Sequence, residues 1–240
     1  MIENIASHLH VAPYVRTIIL VGSYSRGDPN EFSDIDLVIV SDLSLSRSAF
    51  YSMLPPELNI KELSLLPYPS KVFHDLYIEG SLFIAHVLKE GRVLYDDGYY
   101  ANLRKIPFEI SRASLSLQWQ ILKQRLRLFD NLSIYGDVFT DCLSHLYPLI
   151  KNVAIVALAI RGEQVFDKDR ALQLFAQMFP EMKEDIAELC RLRPFSLIWS
   201  KAASIPEPFV PVNCRELTEA FLHKLRRIMA KVEVSELQAN

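Results

Sequence analysis

The chain has 240 residues, half of them hydrophobic and a tenth aromatic, enough to bury a sizeable core in one large domain or two small ones. Its 26 basic and 29 acidic residues leave a net charge of −3, which argues against a general nucleic-acid binder but leaves room for a local basic groove. Three cysteines, Cys142, Cys190 and Cys214, are odd in number and lack C-x-x-C spacing, which speaks against a disulfide framework or a zinc site.

The opening segment, MIENIASHLH, is polar and lacks the basic-then-apolar pattern of a signal peptide. The longest apolar run, Val153 to Ile160, falls well short of the ~20 residues that cross a bilayer. The expectation is a soluble, cytoplasmic protein with no membrane partner. Thr17 to Val21 (TIILV) reads as a strand, and a polar loop from Gly22 to Ser33 leads to a second strand, Asp34 to Val40. Ser46 to Leu54 reads as a short helix stopped by Pro55-Pro56. Leu58 to Leu66 reads as a third strand ended by Pro67, and Ser70 to Ile78 as a helix with Ser70 as N-cap. Ser81 to Leu88 fits either type of element, and Arg92 to Tyr95 follows the Glu90-Gly91 turn as a last short strand. Strands alternating with helices within a hundred residues fit a small α/β-type sheet. Beyond Asp96-Asp97-Gly98 the period becomes helical: residues 109–132, 138–161, 168–178, 181–192 and 214–233 are the expected helices, with Pro194 to Pro211 as a link. Residues 1–98 are therefore expected to form one domain and 105–240 an α-helical bundle, an α+β chain overall.

The chemistry concentrates between Val21 and Val40. Gly22 and Ser23 follow directly on an apolar strand, where a glycine lets the backbone turn sharply and approach a ligand closely. Backbone N–H groups there, the Ser23 hydroxyl and Arg26 three residues on suit phosphate oxygens. Asp34 and Asp36 are two apart on a strand and share one face, with Cα atoms about 6.5 Å apart. Two such carboxylates repel unless cations lie between them, and a pair of divalent ions can clamp the attacking and leaving oxygens of an in-line displacement. Ile35 between them is expected to point into the core.

Gly22-Ser23, ten residues, then Asp34-Ile35-Asp36 resembles the signature of the polymerase-β-like nucleotidyltransferase superfamily, in the spacing of its minimal members and of the aminoglycoside and lincosamide nucleotidyltransferases. The resemblance covers about twenty residues closely and extends more weakly to about residue 95. It implies a small mixed sheet with helices, followed here by a helical bundle that helps form the substrate cleft. It implies Gly22, Ser23 and Arg26 as nucleotide-binding residues, and Asp34, Asp36 and Glu62 as catalytic residues and ligands of Mg²⁺, with two ions. Glu62, in IKELSLLPY, matches a position where the family often carries aspartate; it would be a third ligand or the base for the acceptor hydroxyl.

The implied reaction moves a nucleoside monophosphate, AMP if the triphosphate is ATP, to an acceptor hydroxyl with release of pyrophosphate. A small molecule such as an antibiotic is the first expectation for the acceptor. A toxin–antitoxin-type enzyme modifying a protein or tRNA, and an inactive nucleotide-binding module, are the alternatives. The bundle can also resemble the HEPN fold, but no arginine stands four to six residues before His145 or His223, so RNA cleavage is not expected. Dimers among relatives leave a homodimer open. Lys123, Arg125 and Arg127 read first as a solvated helix face and second as a contact for an anion, while Glu109 and Asp141 are open as bases from the bundle.

Overall fold

The runs VRTIILV and IDLVIVS are rich in β-branched residues and form the two central strands, β1 (Val15–Val21) and β2 (Ile35–Ser41), of a four-stranded sheet in the computed structural model. β3 (Leu63–Pro69) and β4 (Arg92–Asp96) are the edges, in the order β3-β2-β1-β4. β1 pairs antiparallel with both β2 and β4, whereas β2 and β3 run parallel. The structure describes residues 1–58, 62–132, 139–201 and 214–233. The chain divides into two compact units, Met1–Ser114 and Leu115–Asn240.

In the first unit both sheet faces are covered, and the alternation of β2 shows how. Ile35, Leu37 and Ile39 pack on one side with Ile18, Leu20, Leu63 and Leu65, under Ile5 and Leu9 of α1 (Ile2–Leu9) and Phe50 of α3 (Arg47–Tyr51). Val38 and Val40 pack on the other with Ile19 and Val21. That side is covered by Phe73 and Tyr77 of α4 (Ser70–Ile78), Ile84 and Val87 of α5 (Leu82–Glu90), and Tyr100 and Leu103 of α6 (Tyr99–Leu103). Between β1 and β2 lies α2 (Ser23–Arg26), a single turn.

The bounds of β3 and the cap of the next helix need correction, and one segment left open is decided. β3 does not stop at Pro67 but runs through it to Pro69. Its other side is a sheet edge, where a residue without an N–H leaves no ladder bond unmade. The strand begins at Leu63, and residues 59–61 of the expected strand lie outside the described residues. Ser70 is the first residue of α4, after Pro69 as N-cap, and its hydroxyl donates to Asp42 at 2.7 Å. The segment Ser81 to Leu88 is helical, with the Ser81 hydroxyl accepting from Phe83 N–H at its start.

At the far end of β1 from Gly22, Arg16 ties the sheet together. Its guanidinium pairs with Asp97 beyond β4 and with Asp42 beyond β2, the latter at 3.1 Å, and lies over the Tyr99 ring.

The second unit is helical. α7 (Arg112–Arg127) leads into it, and α8 (Phe139–Ile160) is its central helix, packed against α9 (Lys168–Met178), α10 (Lys183–Cys190), α11 (Arg193–Lys201) and α12 (Cys214–Val232). Asp167 caps α9 by accepting from Arg170 N–H at 2.7 Å, as its position before an amphipathic run suggests. Pro194, expected to open a link, sits in the first turn of α11, where a missing N–H costs nothing. α8 matches the helix expected over 138–161; polar residues interrupt its apolar run, yet Cys142–Ile160 averages a hydropathy of 1.6 over 19 residues. That is long and apolar enough to cross a membrane, but two thirds of it is buried inside the protein, as befits the core helix of a bundle.

Candidate active site

The loop after β1 is built on a glycine that no other residue replaces well. Gly22 adopts φ 76° and ψ −155°, a region essentially closed to residues with a Cβ. A Cβ there would stand 3.1 Å from Asp36 Oδ2, so the carboxylate lies against the glycine Cα. The sheet causes the approach, because Val21 is the register partner of Asp36. From Gly22 the chain enters α2 at once: Ser25 and Arg26 N–H both donate to Gly22 carbonyl, at 3.0 and 3.1 Å. The turn closes on Gly27, left-handed at φ 84°. The N–H groups of Ser23 and Tyr24 belong to a first helical turn, which offers them no acceptor of its own.

Asp34 is the residue before β2 and Asp36 the second within it; both are half-buried, while Ile35 between them is fully buried. Alternation puts the two aspartates on the face of Val38 and Val40, beneath α4, α5 and α6. Glu62 lies outside β3, one residue before its start, and is exposed. It still joins the ladder, because its carbonyl accepts from Ile35 N–H at 2.8 Å. The parallel register pairs Ile35 with Leu63 and Asp36 with Ser64, so Glu62 is level with Asp34. Leu63 and Leu65 face the opposite core, and alternation therefore gives Glu62 the same face as the two aspartates.

Among the described residues no three side chains of metal-ligand type stand close enough to form a ready-made cage. The donor chemistry nonetheless fits Mg²⁺, a hard cation held through one or two carboxylates plus substrate phosphates rather than by an all-protein site.

Arg26 is anchored. Its Nη1 donates to Glu90 Oε2 at 2.7 Å and its Nε to Asp28 at 3.2 Å. His86 Nε2, one turn earlier on α5, is 3.2 Å from the same Glu90 oxygen, and the Ser25 hydroxyl donates to the Glu90 carbonyl. Burial pushes the Glu90 carboxyl up, but the hydrogen bonds of His86 and Arg26 outweigh it and hold it below the usual carboxylate range. Sequence reasoning passed over Glu90 as part of a turn. The available signal was a glutamate four residues after a histidine, which share one helix face.

In the second unit, Lys123 pairs with Glu233 at 2.8 Å and Arg226 with Asp130 at 2.8 Å. With Arg127 these charges line a recess of about 180 Å³, and Lys123 of the basic cluster is matched there by an acid. Glu109 is exposed, and the side chain of Asp141 lies outside the described residues.

Residues 3–99 match the family model described as polymerase beta, nucleotidyltransferase. Over 84 residues the chain is 38% identical to the "Putative protein adenylyltransferase" of Methanocaldococcus jannaschii, a match covering 34% of this chain and 79% of that protein. The chain belongs to the polymerase beta nucleotidyltransferase family. As a member of that family it is a nucleotidyltransferase, and the matched span is that of the sheet unit. Among solved structures, spectinomycin adenyltransferase AAD(9) from Enterococcus faecialis, with ATP and spectinomycin, aligns at 14% identity and a TM-score of 0.49, over 93% of this chain and 97% of that one. A toxin–antitoxin complex with AMP-PNP aligns at 20% identity and 0.32, over 55% and 99%.

Proposed function

We propose that the protein transfers AMP from ATP, with Mg²⁺, to a hydroxyl group on a protein. The observation that carries the reading is the seating of the Asp36 carboxylate against Gly22, which joins a turn with open N–H donors to a carboxylate-bearing strand. Gly22 lets the backbone close on a phosphate, and Ser23 and Tyr24 supply N–H groups to it. Arg26, held by Glu90, adds a fixed positive charge. Asp34 and Asp36 would hold Mg²⁺, with Glu62 as third ligand or base. Bound Mg²⁺ would neutralise charge that builds on the phosphate oxygens. The acceptor oxygen attacks the α-phosphorus, the bond to the β-phosphate oxygen breaks, and pyrophosphate leaves. The acceptor proton passes to a base, for which Glu62 at the open end of the strand is suited.

The sequence alone put a small-molecule acceptor first. A relative named for protein adenylylation, at 38% identity, moves the proposal to a protein hydroxyl. ATP labelled at the α-phosphate, incubated with the protein, Mg²⁺ and a cell extract, is expected to label acid-precipitable material and release unlabelled pyrophosphate. ATP labelled at the γ-phosphate is expected to add no label beyond that of the same extract without the protein. Label confined to an added aminoglycoside would favour the small-molecule acceptor, and γ-label transfer that depends on the protein would contradict nucleotidyl transfer.

A further inference from the structure

We infer that Glu90 is a positioning residue for the nucleotide site, holding Arg26 and α2 in place from the neighbouring helix. The inference rests on the reading of Gly22, Ser23 and Arg26 as the nucleotide-binding turn. Two separate bonds run from one residue. The carboxylate takes Arg26 Nη1 at 2.7 Å, and the backbone carbonyl takes the Ser25 hydroxyl. Glu90 therefore grips α2 at two successive residues.

The grip is itself fixed. Glu90 ends α5, and the next residue, Gly91, is wedged so tightly that a Cβ would stand 2.3 Å from Val87 carbonyl and 2.8 Å from Ile19 Cγ2 of β1. The Glu90 side chain is only 10% exposed, so its charge is costly without a partner. Facing it are the Arg26 guanidinium from α2 and the His86 ring from its own helix, with Asp28 on the far side of Arg26. A surface ion pair would not need a carboxylate this enclosed. Arg26 is thus oriented before any nucleotide arrives, and binding need not order it.

A double-mutant cycle tests this: titration calorimetry of ATP with Mg²⁺ on wild type, Glu90→Gln, Arg26→Ala and the double variant. Glu90→Gln keeps the shape but removes the charge, and is expected to weaken ATP binding about tenfold. In the Arg26→Ala background it is expected to change nothing further, because its effect travels through Arg26. A Glu90→Gln protein within twofold of wild type, or losses that multiply in the double variant, would overturn the inference. Circular dichroism checks folding, and if Glu90→Gln melts near the assay temperature, Glu90→Asp in the same cycle decides, with the same coupling expected at a smaller loss. Failure of folded wild type to bind any nucleotide would overturn the nucleotide-binding reading and this inference with it, an outcome distinct from a wild type that binds and a Glu90 variant that binds equally well.

Discussion

At the scale of single residues, Gly22 does two things that no other side chain allows. Its backbone sits in a glycine-only region, and its missing Cβ leaves room for Asp36 Oδ2. Gly22→Ala must both strain the backbone and displace the carboxylate. We expect it to cost about 1–3 kcal/mol of stability and to weaken ATP binding more than tenfold, read by thermal melting and titration calorimetry. Binding at wild-type strength in a folded Gly22→Ala protein would show that the turn is not where the phosphates lie. Gly22 and the Asp34/Asp36 pair were legible in the sequence, since a glycine after an apolar strand and a two-residue spacing report local geometry directly. The contact between Arg26 and Glu90 was not, because 64 positions separate them and only the folded sheet brings α2 to the end of α5. Glu62 falls between these cases. Its type and approximate place were readable, but its face depends on the parallel register of β2 and β3.

At the scale of elements, the end of α5 is the tightest joint beside the site. Gly91→Ala places a methyl group 2.3 Å from Val87 carbonyl and 2.8 Å from a side chain of β1, neither of which can withdraw without moving the sheet or the helix. The expected cost is about 1–3 kcal/mol, with weaker ATP binding as Glu90 is carried out of line. A variant with an unchanged melting temperature would contradict this packing. Element reading from the sequence succeeded where one periodicity ruled, as in β1, β2, α9 and α12. It failed at β3, where prolines usually end a strand but here lie on an edge. It also failed at α1, whose Ile5, Ala6 and Leu9 are buried at helical spacing although the segment reads as polar.

At the scale of the whole molecule, several carboxylates of the sheet unit are held in their charged form by the fold. The Ser70 hydroxyl and then the Arg16 guanidinium hold Asp42 below the usual range, and His86 and Arg26 do the same for Glu90 against the effect of burial. Both folded values lie below the unfolded ones. Their contribution to stability is therefore complete above about pH 5 and is lost as pH falls below about 4 toward the folded values. Hydrogen exchange over peptides spanning residues 1–114 should show constant protection from pH 7 to 5, after correction for the intrinsic rate, and a fall below about 4. Glu90→Gln should lessen that fall. Protection that rises on acidification would contradict the assigned direction. The boundary between the two units, at Ser114, lies within α7, and no composition change marks it.

The central claim is a nucleotide site formed by the Gly22 turn and the Asp34/Asp36 strand. The most direct test is titration calorimetry of each of the four nucleoside triphosphates, with and without Mg²⁺, on wild type and on a folded Asp34→Ala/Asp36→Ala variant. Mg²⁺-dependent binding of ATP by wild type, lost in the double variant, is the predicted result. A well-folded wild type that binds no triphosphate, or a double variant that binds as well as wild type, would contradict the account.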